Sequence, residues 1–156
     1  MSELTEGAPA PDFELAGANG PITLASFKGK PLVVYFYPKD DTPGCTKESQ
    51  QFSALAADFA RAGASVLGVS KDSLARHAKF TAKYDLTVPL GSDPEGTMIE
   101  AYGSWIEKSL YGRQYMGIDR STFLIGADGK LVRIWRKVRV DGHAEAVLEA
   151  VKSLKA

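Results

Sequence analysis

Hydrophobic and polar positions follow two periodicities along the chain, and their alternation predicts strands and helices in turn. Residues 31–38, PLVVYFYP, are almost continuously apolar and rich in β-branched and aromatic side chains, which is typical of a strand buried on both faces. A second such run, ASVLGVS, occupies residues 64–70. Between the two runs, apolar residues recur at helical spacing, namely Phe52, Leu55, Ala56 and Phe59. A helix is therefore predicted to begin after Thr42 and to end near Gly63.

Shorter elements follow in the same alternation. A helix is predicted to start at Asp72 or Ser73, either of which can cap it, and to end near Tyr84. A short strand is predicted at residues 88–90, and the sequence Asp-Pro then predicts a helix over residues 93–102. The predicted order in this part of the sequence is therefore helix, strand, helix.

The last third of the chain predicts a hairpin and a helix. Residues 103–117 show no sustained periodicity and are predicted to be irregular and mobile. The string STFLIGADGKLVRIWRKV predicts two strands joined at Asp128-Gly129, the strongest hairpin signal in the sequence. A final helix is predicted after Gly142, with the inward-facing residues Ala144, Val147, Leu148 and Val151.

The whole pattern predicts an α/β architecture. At the N-terminus, PDFEL and PITL flank a polar loop with Gly17 and Asn19-Gly20, which predicts a small β-hairpin. Strands and helices then alternate before the closing hairpin and helix, and this is the pattern of a thioredoxin-like fold: a central mixed sheet flanked by helices. No repeat or long linker interrupts the 156 residues, so residues 1–156 are predicted to form one domain.

Composition narrows the classes of partner. Lys+Arg and Asp+Glu number 19 each, so net charge favours neither nucleic acid nor an anionic membrane. The N-terminal string MSELTEGAPAPDFEL is acidic and lacks the basic start and apolar run of a secretory signal. No segment approaches the ~20 apolar residues of a membrane-spanning helix. A cytoplasmic protein without a nucleic-acid or membrane partner is expected.

The sequence contains one cysteine, Cys45. A single cysteine excludes an internal disulfide and a multi-cysteine zinc or iron–sulfur site. His77 and His143 are far apart in the sequence and are expected to be surface or internally satisfied residues, so neither a metal nor a cofactor is predicted. Cys45 is then either a buried structural thiol, the commoner use of a free cysteine, or a reactive one.

The surroundings of Cys45 favour the reactive alternative. If Thr42 is the N-cap and Pro43 the first helical residue, Cys45 lies in the first turn of the helix. Unpaired N–H groups and the positive end of the helix dipole favour a thiolate there. Gly44 removes a side chain beside the sulfur and lets a substrate approach the backbone closely.

These residues carry a family resemblance. The pattern Pro38-x-x-x-Thr42-x-x-Cys45 matches the active-site signature of the peroxiredoxins, and YPKDDTPGCTKE resembles the bacterioferritin-comigratory-protein, or PrxQ, branch. GVSKDS, GIDRSTFLIGADGK and VRIWRKV also fit that branch, so the resemblance extends from the first long strand to the last hairpin. It implies a thiol-dependent peroxidase that reduces hydrogen peroxide and organic hydroperoxides through a sulfenic acid on Cys45.

The resemblance also implies a role for each matching residue. Cys45 would be the peroxidatic cysteine, Thr42 would hydrogen-bond the peroxide and the thiolate, and Pro38 would shield the sulfur from water. Arg120, in DRSTF, would stabilise the thiolate and hold the peroxide oxygens with its guanidinium fork. The N–H groups of Gly44 and Cys45 would stabilise negative charge on the breaking O–O bond.

Each role has a plainer alternative. Thr42 could be only a helix cap, Pro38 a strand terminator and Arg120 a surface charge. Glu48, one turn after Cys45, also fits the branch, but a solvated helix face explains it nearly as well.

One feature of this branch is missing from the sequence. Many members hold a resolving cysteine at one of two positions, which here are Gln50 and Thr81. Unless such a residue was substituted by engineering, no resolving cysteine exists, and an external thiol (thioredoxin, glutaredoxin or glutathione) must recycle Cys45. A monomer is expected. One competing function is a thiol–disulfide oxidoreductase, which normally needs C-x-x-C, or a glutathione-dependent reductase on the same fold. The other is a non-enzymatic redox sensor or holdase-like binding protein.

Overall fold

The two continuous apolar runs form the middle of a mixed β-sheet in a computed structural model that describes residues 4–154. The strands are β1 (Glu14–Gly17), β2 (Gly20–Thr23), β3 (Leu32–Phe36), β4 (Ser65–Ser70), β5 (Leu90–Ser92), β6 (Trp105–Leu110), β7 (Arg113–Ile118), β8 (Ser121–Ile125) and β9 (Leu131–Trp135). Seven of them form one sheet in the order β2-β1-β5-β4-β3-β8-β9, while β6 and β7 form a separate pair. Strand β3 pairs in parallel with β4 and antiparallel with β8.

Helices cover both faces of this sheet. They are α1 (Pro43–Ala54), α2 (Ala56–Arg61), α3 (Leu74–Tyr84), α4 (Thr97–Ala101) and α5 (His143–Ser153). All of β3 is buried because its side chains point alternately into two cores. Val33 and Tyr35 pack with residues of α1, α2, α3 and α5, whereas Val34 and Phe36 pack with α4 and the N-terminal segment. The predicted α/β, thioredoxin-like arrangement with an N-terminal hairpin is confirmed.

The prediction for residues 103–117 was wrong. This stretch contains the antiparallel hairpin of β6 and β7, with residues Leu110 and Arg113 paired at its end. Tyr111 and Gly112 form the two-residue turn, and both have positive φ, 52° and 78°. The pattern was hard to detect because most side chains of the hairpin are exposed and the turn is Tyr-Gly instead of Asn-Gly.

Two predicted helices are shorter than expected. The helix after Thr42 is divided into α1 and α2 at Leu55, where the Ser53 hydroxyl at the end of α1 accepts hydrogen bonds from the segment before β5. The helix predicted over residues 93–102 is confined to α4, because Gly96 has a φ of 77° and cannot continue a right-handed helix. Among residues 4–154, no helix is long and apolar enough to cross a membrane.

Phe52 tests how strongly the helical layer is bound to the sheet. Its ring is fully buried and stacks on Tyr35 with a centroid distance of 4.5 Å. We expect Phe52→Ala to lower the free energy of unfolding by about 3–5 kcal/mol, because the substitution removes apolar contacts and leaves a cavity. Urea unfolding measures the change. Gln50→Ala, at an exposed position of the same helix, is the control, and a loss for Phe52→Ala no larger than for this control would contradict the prediction.

Candidate active site

Cys45 is the third residue of α1, as predicted, and its side chain is 1% exposed. Pro43 occupies the first helical position, where its fixed φ suits a helix and its missing N–H leaves no donor unpaired. The first backbone hydrogen bond of the helix joins the N–H of Thr46 to the carbonyl of Thr42 at 2.8 Å. The N–H groups of Gly44 and Cys45 therefore precede the helical ladder and can stabilise an anion at the sulfur.

Thr42 is the N-cap residue by its extended backbone, but its side chain does not cap the helix. The hydroxyl donates to the carbonyl of Lys39 instead, at 2.8 Å. With its own hydrogen engaged, Thr42 Oγ1 still has lone pairs that can accept a hydrogen bond from a bound ligand. The Thr42 side chain therefore does not occupy the N–H groups of the first turn.

Arg120 lies beside the sulfur. It immediately precedes β8, and its Nη2 is 3.3 Å from Cys45 Sγ while its Nη1 is 2.6 Å from Glu48 Oε1. Burial disfavours the cation, but the charges and hydrogen bonds of Glu48 and Cys45 together outweigh this effect and raise the pKa of Arg120. A permanent cation is thus fixed against the only thiol of the sequence.

Gly44 makes room for this contact. A Cβ atom at position 44 would lie 3.2 Å from Arg120 Nη2, which is closer than most such contacts. The missing side chain therefore accommodates the guanidinium group, in addition to leaving the backbone open to a ligand.

Glu48 is not on a solvated helix face. The alternative raised from the sequence was wrong, since Glu48 is 1% exposed and its Oε1 accepts the hydrogen bond from Arg120. Among residues 4–154, no group donates to its other oxygen, Oε2. Burial raises the pKa of Glu48 to about 7, and this effect exceeds the lowering by the charge and hydrogen bond of Arg120.

Three other residues were named from the sequence as possible parts of the site. Pro38 is exposed at the end of β3, and its shielding of the sulfur stays a prediction. Gln50 is exposed on α1, and Thr81 is half-buried on α3. Neither carries sulfur, so Cys45 has no internal cysteine partner.

Both histidines are buried, so neither is a surface residue. His143 Nε2 is 2.8 Å from Thr122 Oγ1, and burial, aided by the charge of Arg120, lowers the pKa of His143 to about 4. His143 is therefore a neutral, internally satisfied residue at pH 7. His77 belongs to a different buried cluster, next to Asp40.

One cation near the site, Lys108, was not predicted from the sequence. Lys108 is half-buried on β6, and its charge interacts with those of Asp119, Arg120 and Cys45. Burial is the main cause that lowers its pKa, so its ammonium group is held in a partly desolvated position. No local pattern indicated Lys108, because the stretch that contains it was interpreted as irregular.

The buried carboxyl of Glu48 predicts a specific pH dependence of stability. In the unfolded chain Glu48 ionises near its ordinary pKa of 4.5, but in the folded protein it keeps its proton up to about pH 7. The folded state therefore binds more protons between these values, and the stability contributed by Glu48 is lost as the pH rises from about 4.5 through 7.

We expect the free energy of unfolding of the wild type, minus that of Glu48→Gln, to fall by an amount on the order of 2–3 kcal/mol between pH 4.5 and pH 8. Glu107→Gln, at an exposed position, is the control. Urea unfolding across this range measures the difference. A difference that stays constant or rises with pH would contradict the prediction.

The sequence is similar to those of known proteins with a related active site. Residues 7–134 match the AhpC/TSA family. The chain is 46% identical over 156 residues to Peroxiredoxin Bcp of Xanthomonas campestris pv. campestris, with 98% of each chain covered. It is 45% identical over 149 residues to Peroxiredoxin Bcp of Bacillus subtilis, with 95% of each covered.

Solved structures give the same result. The bacterioferritin comigratory protein of Xanthomonas campestris, studied for alkyl peroxide reduction, has a TM-score of 0.91 and 44% identity, covering 97% of this chain and 100% of the other. A PrxQ variant of Xylella fastidiosa has a TM-score of 0.93 and 38% identity over the full length of both chains. The chain therefore belongs to the AhpC/TSA family, as one of the Bcp/PrxQ peroxiredoxins, which are thiol-dependent peroxidases.

Proposed function

We propose that the chain reduces hydrogen peroxide and organic hydroperoxides by attack of the Cys45 thiolate on the O–O bond. The observation that carries this proposal is the 3.3 Å contact between Arg120 Nη2 and a buried sulfur in the first turn of α1. An S–O bond forms as the O–O bond breaks, sulfur is oxidised to the sulfenic acid, and the leaving oxygen departs with the bond's electron pair and takes up a proton. The product is water from hydrogen peroxide and an alcohol from an organic hydroperoxide.

Each group next to the sulfur has a separate role in this step. Thr42 Oγ1, whose own hydrogen is donated to the Lys39 carbonyl, accepts a hydrogen bond from the O–H of the hydroperoxide and so orients it toward the sulfur. Arg120 stabilises the thiolate and then the charge on the separating oxygens, together with the N–H groups of Gly44 and Cys45. Pro38 limits the access of water to the sulfur. Thr42, Gly44, Cys45 and Arg120 thus form the substrate site.

Recycling follows a one-cysteine mechanism. An external thiol attacks the sulfenic sulfur, releases water and forms a mixed disulfide, and a second thiol then restores the Cys45 thiol. Thioredoxin, glutaredoxin and glutathione each supply the required thiol chemistry. Because Cys45 is 1% exposed, the first turn of α1 has to open before a protein reductant can reach the sulfur.

The related bacterioferritin comigratory protein, studied for alkyl peroxide reduction, supports the inclusion of organic hydroperoxides. We further propose that residues 1–156 act as one catalytic domain, as a monomer, without a cofactor, metal, nucleic-acid or membrane partner. A cytoplasmic location stays a prediction from the composition of the sequence.

Stoichiometric oxidation tests the proposed function directly. Fully reduced protein is mixed with an equimolar amount of hydrogen peroxide, and peroxide loss and intact mass are followed beside Cys45→Ser. We expect rapid loss of peroxide and a one-oxygen adduct on Cys45 that added thiol reverses, with turnover in excess thiol.

Other results would point elsewhere. Disulfide reduction without peroxide loss would identify an oxidoreductase, and a single oxidation that no thiol reverses would identify a sensor. A rate equal to that of Cys45→Ser would exclude the peroxidase.

Arg120→Lys tests the need for the guanidinium fork. Lysine keeps the positive charge, but it cannot contact Cys45 and Glu48 through two separate nitrogens as Arg120 does. We expect the second-order rate constant for oxidation of Cys45 to fall on the order of 10²-fold, the effect of losing one donor to a developing oxyanion. Arg139→Lys, at an exposed position, is the control, and stopped-flow mixing with hydrogen peroxide gives both rates. Equal rates would remove Arg120 from the mechanism.

A further inference from the structure

Asp40 anchors the loop that leads from β3 to Cys45. Its side chain is 2% exposed, although both of its neighbours in the loop are exposed. Asp40 Oδ1 accepts a hydrogen bond from the Tyr37 hydroxyl at 2.5 Å, and Oδ2 lies 2.6 Å from His77 Nδ1 on helix α3. Both carboxylate oxygens are therefore engaged by buried groups, two residues before Thr42.

Both ring nitrogens of His77 face hydrogen-bond acceptors. Nδ1 faces the carboxylate of Asp40, and Nε2 lies 3.2 Å from the carbonyl oxygen of Gly91. A peptide carbonyl only accepts, so Nε2 must carry a hydrogen, and the contact at Nδ1 needs a second proton between nitrogen and carboxylate. Tyr37 donates to the other carboxylate oxygen, so each oxygen of Asp40 has its own buried partner. At 4% exposure of His77, the hydrogen bond between its ring and Asp40 is shielded from water.

A second set of bonds fixes the backbone of the same loop residue. The N–H of Asp40 donates to Asp72 Oδ2 at 2.8 Å, and the Ser70 hydroxyl donates to the same oxygen at 2.8 Å. Arg76, next to His77 on α3, donates from Nε to Asp72 Oδ1 at 3.0 Å. Asp40, Asp72 and His77 lie close enough to hold a cation, but these bonds already engage their oxygen and nitrogen atoms. The function of the cluster is therefore to hold the loop in place.

The next loop residue is held by the same helix. Asp41 has a φ of 61°, a left-handed conformation that is unfavourable for a residue with a Cβ. Its carboxylate accepts hydrogen bonds from Tyr84 at 2.6 Å and from Lys83 at 2.9 Å. Two consecutive residues before Thr42 are thus bound to α3, which fixes the direction in which the chain enters α1.

We propose that His77 is a positioning residue for the peroxidase reaction: held between Asp40 and the Gly91 carbonyl, it fixes the loop that presents Thr42 and the first turn of α1 to the hydroperoxide. His77 acts through Asp40. The proposal rests on the proposed function, because its kinetic consequence is measured on the oxidation of Cys45.

The test combines kinetics with a direct observation of the ring. The variants are His77→Gln, Asp40→Asn and the double variant, and Tyr102→Phe is the matched control. Tyr102 loses a hydrogen bond to the Pro11 carbonyl in the other core, so this control reports a general loss of stability. Single-turnover oxidation of Cys45 by hydrogen peroxide gives the rate constants, and NMR of the imidazole N–H groups gives the state of His77.

We expect His77→Gln and Asp40→Asn each to slow oxidation roughly 10- to 100-fold, because small misplacements of reacting groups have effects of this size. The control should stay within about twofold of the wild type, as a hydrogen bond away from the reacting groups does not position them. The double variant should be no slower than Asp40→Asn, since His77 acts through Asp40. The wild type should show two N–H signals from His77, and Asp40→Asn should lose the one on Nδ1.

Three outcomes would overturn the proposal: a wild-type rate in His77→Gln, additive effects in the double variant, or a single N–H signal from His77 in the wild type. If His77→Gln does not fold, Asp40→Asn decides alone, and an unchanged rate in it overturns the proposal. Failure of the proposed function is distinguishable, because the wild type itself would then not consume peroxide while the NMR signals of His77 would be unaffected.

Discussion

The contact between Arg120 and the sulfur of Cys45 compensates for the hydration that a thiolate loses when it is buried. A thiolate at 1% exposure loses its hydration, and the protein must replace water with a cation and with N–H groups. Arg120 supplies the cation, but it also contacts Glu48, a second group that can be negative. Because burial raises the pKa of Glu48 to about 7, that carboxyl can hold a proton near neutral pH. The charge of Arg120 is then available to the sulfur.

The topology of the sheet makes this contact possible. Strands β3 and β8 are neighbours, and their antiparallel register pairs Phe36 with Ser121. The chain therefore leaves β3 toward Cys45 at the same edge where Arg120 enters β8. The loop after β3 and the residue before β8 come together, although 75 residues separate Cys45 from Arg120 in the sequence. The helix supplies the thiol, and the neighbouring strand supplies the cation.

Local chemistry explains which parts of the site could be predicted from the sequence. The buried strand, the start of α1 and the position of Cys45 in its first turn follow from nearest-neighbour patterns, and the structure confirms them. Arg120 required the family resemblance, because periodicity does not reveal which strands are adjacent. Glu48 was misjudged for the same reason, as nothing along the helix indicates that a cation from β8 lies against it.

The hairpin of β6 and β7 and the His77 cluster were missed for related reasons. A hairpin with mostly exposed side chains has little of the alternation by which strands are detected, and its positive-φ turn contains a tyrosine. His77 acquires its partners from a loop 37 residues earlier and from the carbonyl of Gly91. Such tertiary hydrogen bonds cannot be predicted from the residues on one helix face.

The register between β3 and β8 has a consequence for how misfolded forms of the chain behave. A slip of one residue would move Arg120 by about 3.3 Å along the strand and turn the side chains of β8 to the opposite face of the sheet. A molecule with that error could retain its strands, its helices and much of its compactness, but its guanidinium would no longer meet the sulfur. Reactivity of the thiol is therefore a stricter criterion of correct strand pairing than overall secondary structure, because only the native register brings the guanidinium group to the sulfur.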